Sequence, residues 1–278
     1  MVREPKNRSG LRVIFGKLVY SALRFVCWYS GGKRYAVGRA DCMFHNCILE
    51  HRTPLVRKLK DLDMWMQYNK ICNLSIAAKQ LNGIVLRPGE TFSYWKLIGH
   101  PSRLKGYKTG MILHNGRVSS GMGGGLCQLS NLIYWMTLHT SLTVTERYRH
   151  SYDVFPDADR NQPFGSGATC VYNYRDLQVY NGTGRSYQLI VYLTDQQLVG
   201  QWRSNETQGE RYQVHERNHG MRSTYWGGYI RYNELYRSVY NMAGELVRDE
   251  FITKNEALMM YNPFIEAHSL CADSFEKV

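Results

Sequence analysis

Acidic residues are too few to balance the basic ones in this 278-residue chain: 23 Asp and Glu stand against 35 Lys and Arg, for a net charge of +12 and a pI near 9.4. That excess favours anionic neighbours, whether nucleic acid, an anionic membrane or a teichoic-acid-like polymer. No C-x2-C finger, recognition-helix pattern or aromatic single-strand platform accompanies it, so nucleic acid is not an expected partner. Also missing is a run of about 20 uncharged apolar residues. The most apolar stretch, Leu11 to Trp28, is broken by Arg12, Lys17 and Arg24 and leads to no small-residue cleavage site, so neither a membrane span nor an export signal is expected. A dense, even set of cysteines is lacking too. The seven at 27, 42, 47, 72, 127, 170 and 271 read as free thiols of a cytoplasmic chain. Cys42 and Cys47, with His45 and His51 nearby, have no second pair to complete a zinc site, and no metal or cofactor is expected. Internal repeats and low-complexity linkers are absent.

What is present suits a folded chain: 44% of residues are apolar and 13% aromatic, which excludes wholesale disorder. The 21 tyrosines fit half-buried strands and could equally line a ligand surface. Leu11–Trp28 reads as an amphipathic helix with Arg12, Lys17, Ser21 and Arg24 roughly on one side, ended by Ser30-Gly-Gly32. Packing on the domain is the preferred expectation for it, and peripheral contact of residues 11–28 with the inner face of a membrane is the alternative. A second helix, from Leu62 to Leu81, stops at Asn82-Gly83, and Ile84–Leu86 follows as a short strand. Asn115-Gly116 marks a hairpin. Leu142–Glu146, Leu177–Val179, Tyr187–Leu193, Arg211–Val214, Tyr229–Asn241 and Glu245–Ile252 read as short strands. The expected fold is α+β, a single domain with N-terminal helices, a buried helix after a glycine-rich loop, and a mainly antiparallel sheet in the C-terminal half. Its expected divisions are a leader over 1–67, a core over 68–201 and a β-rich extension over 202–278.

The run Gly121-Met-Gly-Gly-Gly-Leu-Cys-Gln-Leu-Ser-Asn131 opens the buried helix, placing Cys127 at its N-terminus. Unpaired N–H groups and the positive end of the helix dipole favour a thiolate there. His150, expected at the end of the next strand, is the candidate base. The N–H groups of Leu126, Cys127 and Gln128, or the Gln128 side chain, are the candidate oxyanion donors. A packing role for Cys127 and for the glycines is the competing reading.

The same segment, with Leu81-Asn-Gly-Ile-Val-Leu-Arg-Pro-Gly-Glu-Thr-Phe-Ser-Tyr-Trp95 and Thr145-Glu-Arg-Tyr-Arg-His150, resembles the three signature blocks of the VanW family, in the family's order and spacing. The likeness is strong over residues 68 to 201. It implies a place near glycopeptide resistance or cell-wall metabolism, and no reaction, because the family has no established biochemical activity. The chain departs from the resemblance at Gly167, where an Asp is common, and at Tyr148, where a second histidine is common. The missing Asp would have oriented His150. Two functions follow as expectations. The preferred one is a binding module for a peptidoglycan-precursor-like or other anionic ligand, using Gly123, Gly124, Gly125, Gln128, Ser130, Asn131, Glu90 and Arg147. The alternative is a cysteine-dependent acyl-transfer enzyme or amidase using Cys127 and His150.

Overall fold

The computed structural model describes residues 9–56, 63–114, 116–154 and 162–264. In chain order its elements are α1 (Gly10–Ser30), β1 (Asn46–Pro54), α2 (Met64–Leu81), β2 (Ile84–Leu86), β3 (Thr91–Ser93), α3 (Tyr94–Ile98), β4 (Thr109–His114), β5 (Arg117–Met122), α4 (Cys127–Thr137), β6 (Thr143–Glu146), β7 (Tyr152–Asp153), β8 (Gln178–Tyr180), β9 (Tyr187–Leu193), β10 (Gln197–Ser204), β11 (Arg211–Ser223), β12 (Tyr229–Tyr240) and β13 (Leu246–Met259). The fold is α+β. Strands pair in the orders β1-β10-β9-β2, β3-β8-β6, β4-β5 and β11-β12-β13-β7. All the pairings are antiparallel except that of β7 with β13.

The core is built where apolar helix faces meet the inner face of the first sheet. In α4, Leu129, Leu132, Ile133 and Met136 are buried at helical spacing, and Trp202 of β10 is buried against this helix with its indole N–H donating to Thr137 Oγ1. The cluster runs from Trp28 to Trp202, and Val214 and Ile252 of the C-terminal sheet pack on it. Asn82-Gly83 ends α2 as expected, with the Asn82 N–H donating to Ala78 O and Gly83 at φ +80°.

Two sequence expectations change. The first and third C-terminal strands run on past the expected ends, to 13 and 14 residues, through bulges that composition does not reveal, while the middle strand, Tyr229–Tyr240, keeps its expected bounds to within a residue. The first helix is present, but its sidedness is reversed. Nine residues, or two and a half turns, separate Arg12 from Ser21, so the two lie on opposite sides. Ser21, Arg24 and Trp28 form the stripe that turns to the body, while Leu11, Ile14, Phe15, Leu18, Phe25 and Val26 are exposed.

Candidate functional site

Three glycines precede α4, and their neighbours explain them. A Cβ on Gly124 would sit 2.1 Å from the carbonyl carbon of Gly110, so backbone runs on backbone here. Asn73, fully buried in α2, locks the contact: its amide donates to Gly124 O and Lys108 O and accepts from the Lys108 N–H. Gly123 packs against Pro101 and Gly125 against the Lys70 stem, and Gly123 and Gly124 are buried. The glycine run is therefore filled by the protein itself.

Beyond it, the first turn of α4 grips the extended segment 167–170. The Ser130 hydroxyl donates to Ala168 O, the Ala168 N–H donates to Asn131 Oδ1, and the Cys127 thiol donates to Cys170 O at 3.7 Å. On the other side of the segment, the Thr169 N–H donates to Tyr148 O, and Thr169 Oγ1 lies 2.8 Å from His150 Nδ1. Cys127 and His150 thus address neighbouring residues of one segment through different partners. Gly167 sits between Asn131 Oδ1 and His150 Nε2, which a Cβ there would meet at 2.8 and 3.1 Å.

This arrangement gives the acyl-transfer alternative no support. Burial raises the Cys127 pKa above the ordinary thiol value, and its backbone hydrogen bonds only partly oppose the shift. Its partner is a carbonyl, which accepts from a neutral thiol and takes no proton. The helix end is occupied as well: the Gln128 and Leu129 N–H groups donate to Gly125 O and Leu126 O. The Gln128 side chain donates to Thr53 Oγ1 and Pro54 O. The expected oxyanion donors at Gln128 are therefore spent on the fold. Glu90 accepts from the Arg87 N–H and pairs with the Arg87 guanidinium at 3.8 Å, tying its own turn.

Arg147 behaves differently. Its guanidinium donates to Gly165 O and Gly167 O, reaches Asn255 Oδ1 and Thr253 Oγ1 at 3.3 and 3.4 Å, and lies 4.8 Å over the Tyr134 ring. Burial pushes its pKa down. Together with Arg149, Arg175, Lys254, Tyr148, Ser151 and Thr253 it lines a cleft of about 390 Å³. No carboxylate lines the cleft, and among the described residues none pairs with Arg147, Arg149 or Arg175. Sequence reasoning named Arg147 and missed the rest. A signal existed for part of it: Arg147, Tyr148, Arg149 and Ser151 are sequence neighbours in the short link between β6 and β7. Lys254 and Thr253 arrive from β13, about a hundred residues away, by a pairing no local pattern encodes.

Next to this cleft lie two carboxyls, Glu146, partly buried, and Asp176, fully buried. Arg24 of α1 makes a two-pronged pair with Glu146, whose Oε1 also accepts the Asp176 N–H. Asp176, fully buried, accepts from the Ser93 hydroxyl and from the Trp95 and Leu177 N–H groups. Burial outweighs those bonds and lifts its pKa to about 6. Among the described residues no three His, Cys, Asp or Glu side chains cluster as a metal site, and no helix is long and apolar enough to cross a membrane.

Residues 69–203 match the family model described as VanW like protein. The chain is 38% identical over 184 residues to the vancomycin B-type resistance protein VanW of Enterococcus faecalis, an alignment covering 65% of this chain and 67% of that protein. It is 38% identical over 82 residues to the uncharacterized protein YoaR of Bacillus subtilis, covering 30% of this chain and 27% of that one. No solved structure matches. The matched region holds the glycine run, Arg147, His150 and Arg175, while Thr253 and Lys254 lie beyond it, and on these grounds the chain belongs to the VanW family.

Proposed function

We propose that this protein serves glycopeptide resistance or cell-wall metabolism by binding the anionic part of a peptidoglycan-precursor-like ligand in the cleft of Arg147, Arg149, Arg175 and Lys254. The observation that carries the reading is the gathering of three arginines and a lysine with no lining carboxylate. Like charges held together cost stability in the free protein, and an anion reverses the sign of that interaction. Guanidinium forks suit phosphate and carboxylate in particular. The name of the Enterococcus faecalis relative supplies the vancomycin-resistance context. In this reading the glycine run, Gln128, Ser130 and Asn131 are scaffold: the glycines pack on Gly110, Pro101 and Lys70, Gln128 ties α4 to β1, and Ser130 and Asn131 hold Ala168, next to the Gly167 O that holds Arg147. A cytoplasmic location belongs to the same reading, supported by the six described cysteines, all unpaired; Cys271 lies outside the described residues.

Calorimetric titration with a nucleotide-linked muramyl pentapeptide, which carries both phosphate and carboxylate, tests the proposal. Binding should weaken by about tenfold or more in Arg149→Ala and in Arg175→Ala, as expected for loss of one charge-assisted contact. Equal affinity of wild type and both variants would sink it.

A further inference from the structure

We propose that α1 lies in the interface of an anionic lipid bilayer, apolar side down, and holds the domain at the membrane surface. This goes beyond the ligand cleft and does not depend on it. The helix turns Ser21, Arg24 and Trp28 to the body: Arg24 pairs with Glu146 and donates to Asn173 O, the Asn173 amide donates to Ser21 O, and the Trp28 indole donates to Ser93 Oγ. Those contacts consume its polar stripe. Left outside is the apolar side, with Leu11 73%, Phe15 69% and Leu18 63% exposed and Val19, Leu23 and Val26 more than half exposed. Scattered single apolar residues are ordinary on a surface, but a continuous strip along a helix of about 30 Å marks a contact face.

Charge selects the occupant. From Gly10 to Ala40 the chain has six basic residues and no acidic one. Directly after α1, Lys33 and Arg34 line a second cleft, of about 310 Å³, with Thr91 and Thr145 and again no carboxylate. A second copy of this chain would bring the same basic residues against each other, whereas an anionic leaflet meets apolar side and cations together. Arg12 and Lys17 also keep the helix from crossing the bilayer, so it lies along the surface.

Co-sedimentation of the full chain with vesicles tests this. Binding to vesicles of roughly 30% phosphatidylglycerol in phosphatidylcholine should exceed binding to pure phosphatidylcholine by at least about tenfold, and should weaken as salt shortens the Debye length. The double variant Phe15→Asp/Leu18→Asp should lose that binding while melting like the wild type. Leu104→Asp, at a fully exposed apolar position on a short 3-10 turn, should bind unchanged. Should the double variant fail to fold, Arg12→Gln/Lys17→Gln keeps the apolar side and should lose the preference for anionic vesicles. Wild-type protein left in the supernatant with anionic vesicles would overturn the proposal. Undiminished binding by the folded double variant would do the same, as would a dimer that this variant dissolves without any vesicle uptake.

Discussion

At the start of α4 two effects act on the Cys127 thiol in opposite directions: the helix end favours the thiolate, and burial favours the neutral form. Burial wins: it outweighs both the helix end and the backbone hydrogen bonds at Cys127 and Cys170 that favour the thiolate. Alkylation of Cys127 by iodoacetamide, followed by peptide mass spectrometry across pH, should therefore show a midpoint above the reference thiol value of about 8.5. It should also lag behind the exposed Cys42. A midpoint below neutrality would restore the nucleophile. Asp176 gives a second test. Its folded pKa of about 6 exceeds the unfolded carboxyl value, so the native state binds the extra proton between about pH 4 and 6 and stability falls as pH rises through that window. Two pKa units correspond to about 3 kcal/mol. Urea unfolding of Asp176→Asn should lack this fall, and an identical pH slope in variant and wild type would show that the carboxyl is already ionised.

Elements dock here through a few buried polar locks. The pair between Arg24 and Glu146 fastens α1 to β6, with side-chain exposures of 11% and 19%. Removing the guanidinium strands a largely buried carboxylate, so Arg24→Ala should cost about 2–4 kcal/mol in denaturant unfolding, whereas Lys17→Ala, at an exposed position of the same helix, should stay within about 0.5 kcal/mol. Between α2, β4 and the glycine loop the lock is Asn73 over the approach of Gly124 to Gly110. A Cβ on Gly124 meets backbone that has no rotamer to yield, so Gly124→Ala should destabilise by about 3 kcal/mol or more, beyond the cost of overpacking against a flexible side chain. A loss well under 1 kcal/mol would mean that β4 and the loop slide apart freely.

For the molecule as a whole, a share of the excess positive charge gathers where it costs stability: Arg147, Arg149, Arg175 and Lys254, four of the 35 basic residues, meet in the cleft closed by β13. Replacing a cleft arginine that bears no structural bond to a carboxylate should relieve repulsion in the free protein. Arg175→Gln is expected to raise apo stability by about 0.5–1 kcal/mol at low salt, with the gain fading at high salt, while weakening the anionic ligand. Urea midpoints at two ionic strengths measure the first effect and calorimetry the second. A destabilised Arg175→Gln would mark that residue as a structural brace.

Much of the architecture was legible in local pattern. The 3.6-residue spacing of apolar residues placed α2 and α4, Asn82-Gly83 placed a stop, the expected hairpin is present as the β4–β5 pair although Asn115 of its Asn115-Gly116 turn lies outside the described residues, and three blocks of residues carried the family resemblance that the comparisons bore out. These features are encoded within a few turns of chain, where periodicity and backbone preference act directly. What lies between distant segments was decided by the tertiary structure. The polarity of α1 depended on Glu146, 122 residues away, being largely withdrawn from water and needing a cation. The packing role of the glycine run depended on Gly110 and Asn73 arriving at the same place. The state of Cys127 depended on how much water surrounds it, and the cationic cleft depended on β13 returning beside Arg147 and Arg175. Burial and charge pairing are properties of the assembled interior, so a residue's type and its neighbours in sequence set only what it can do, and the packing around it sets what it does.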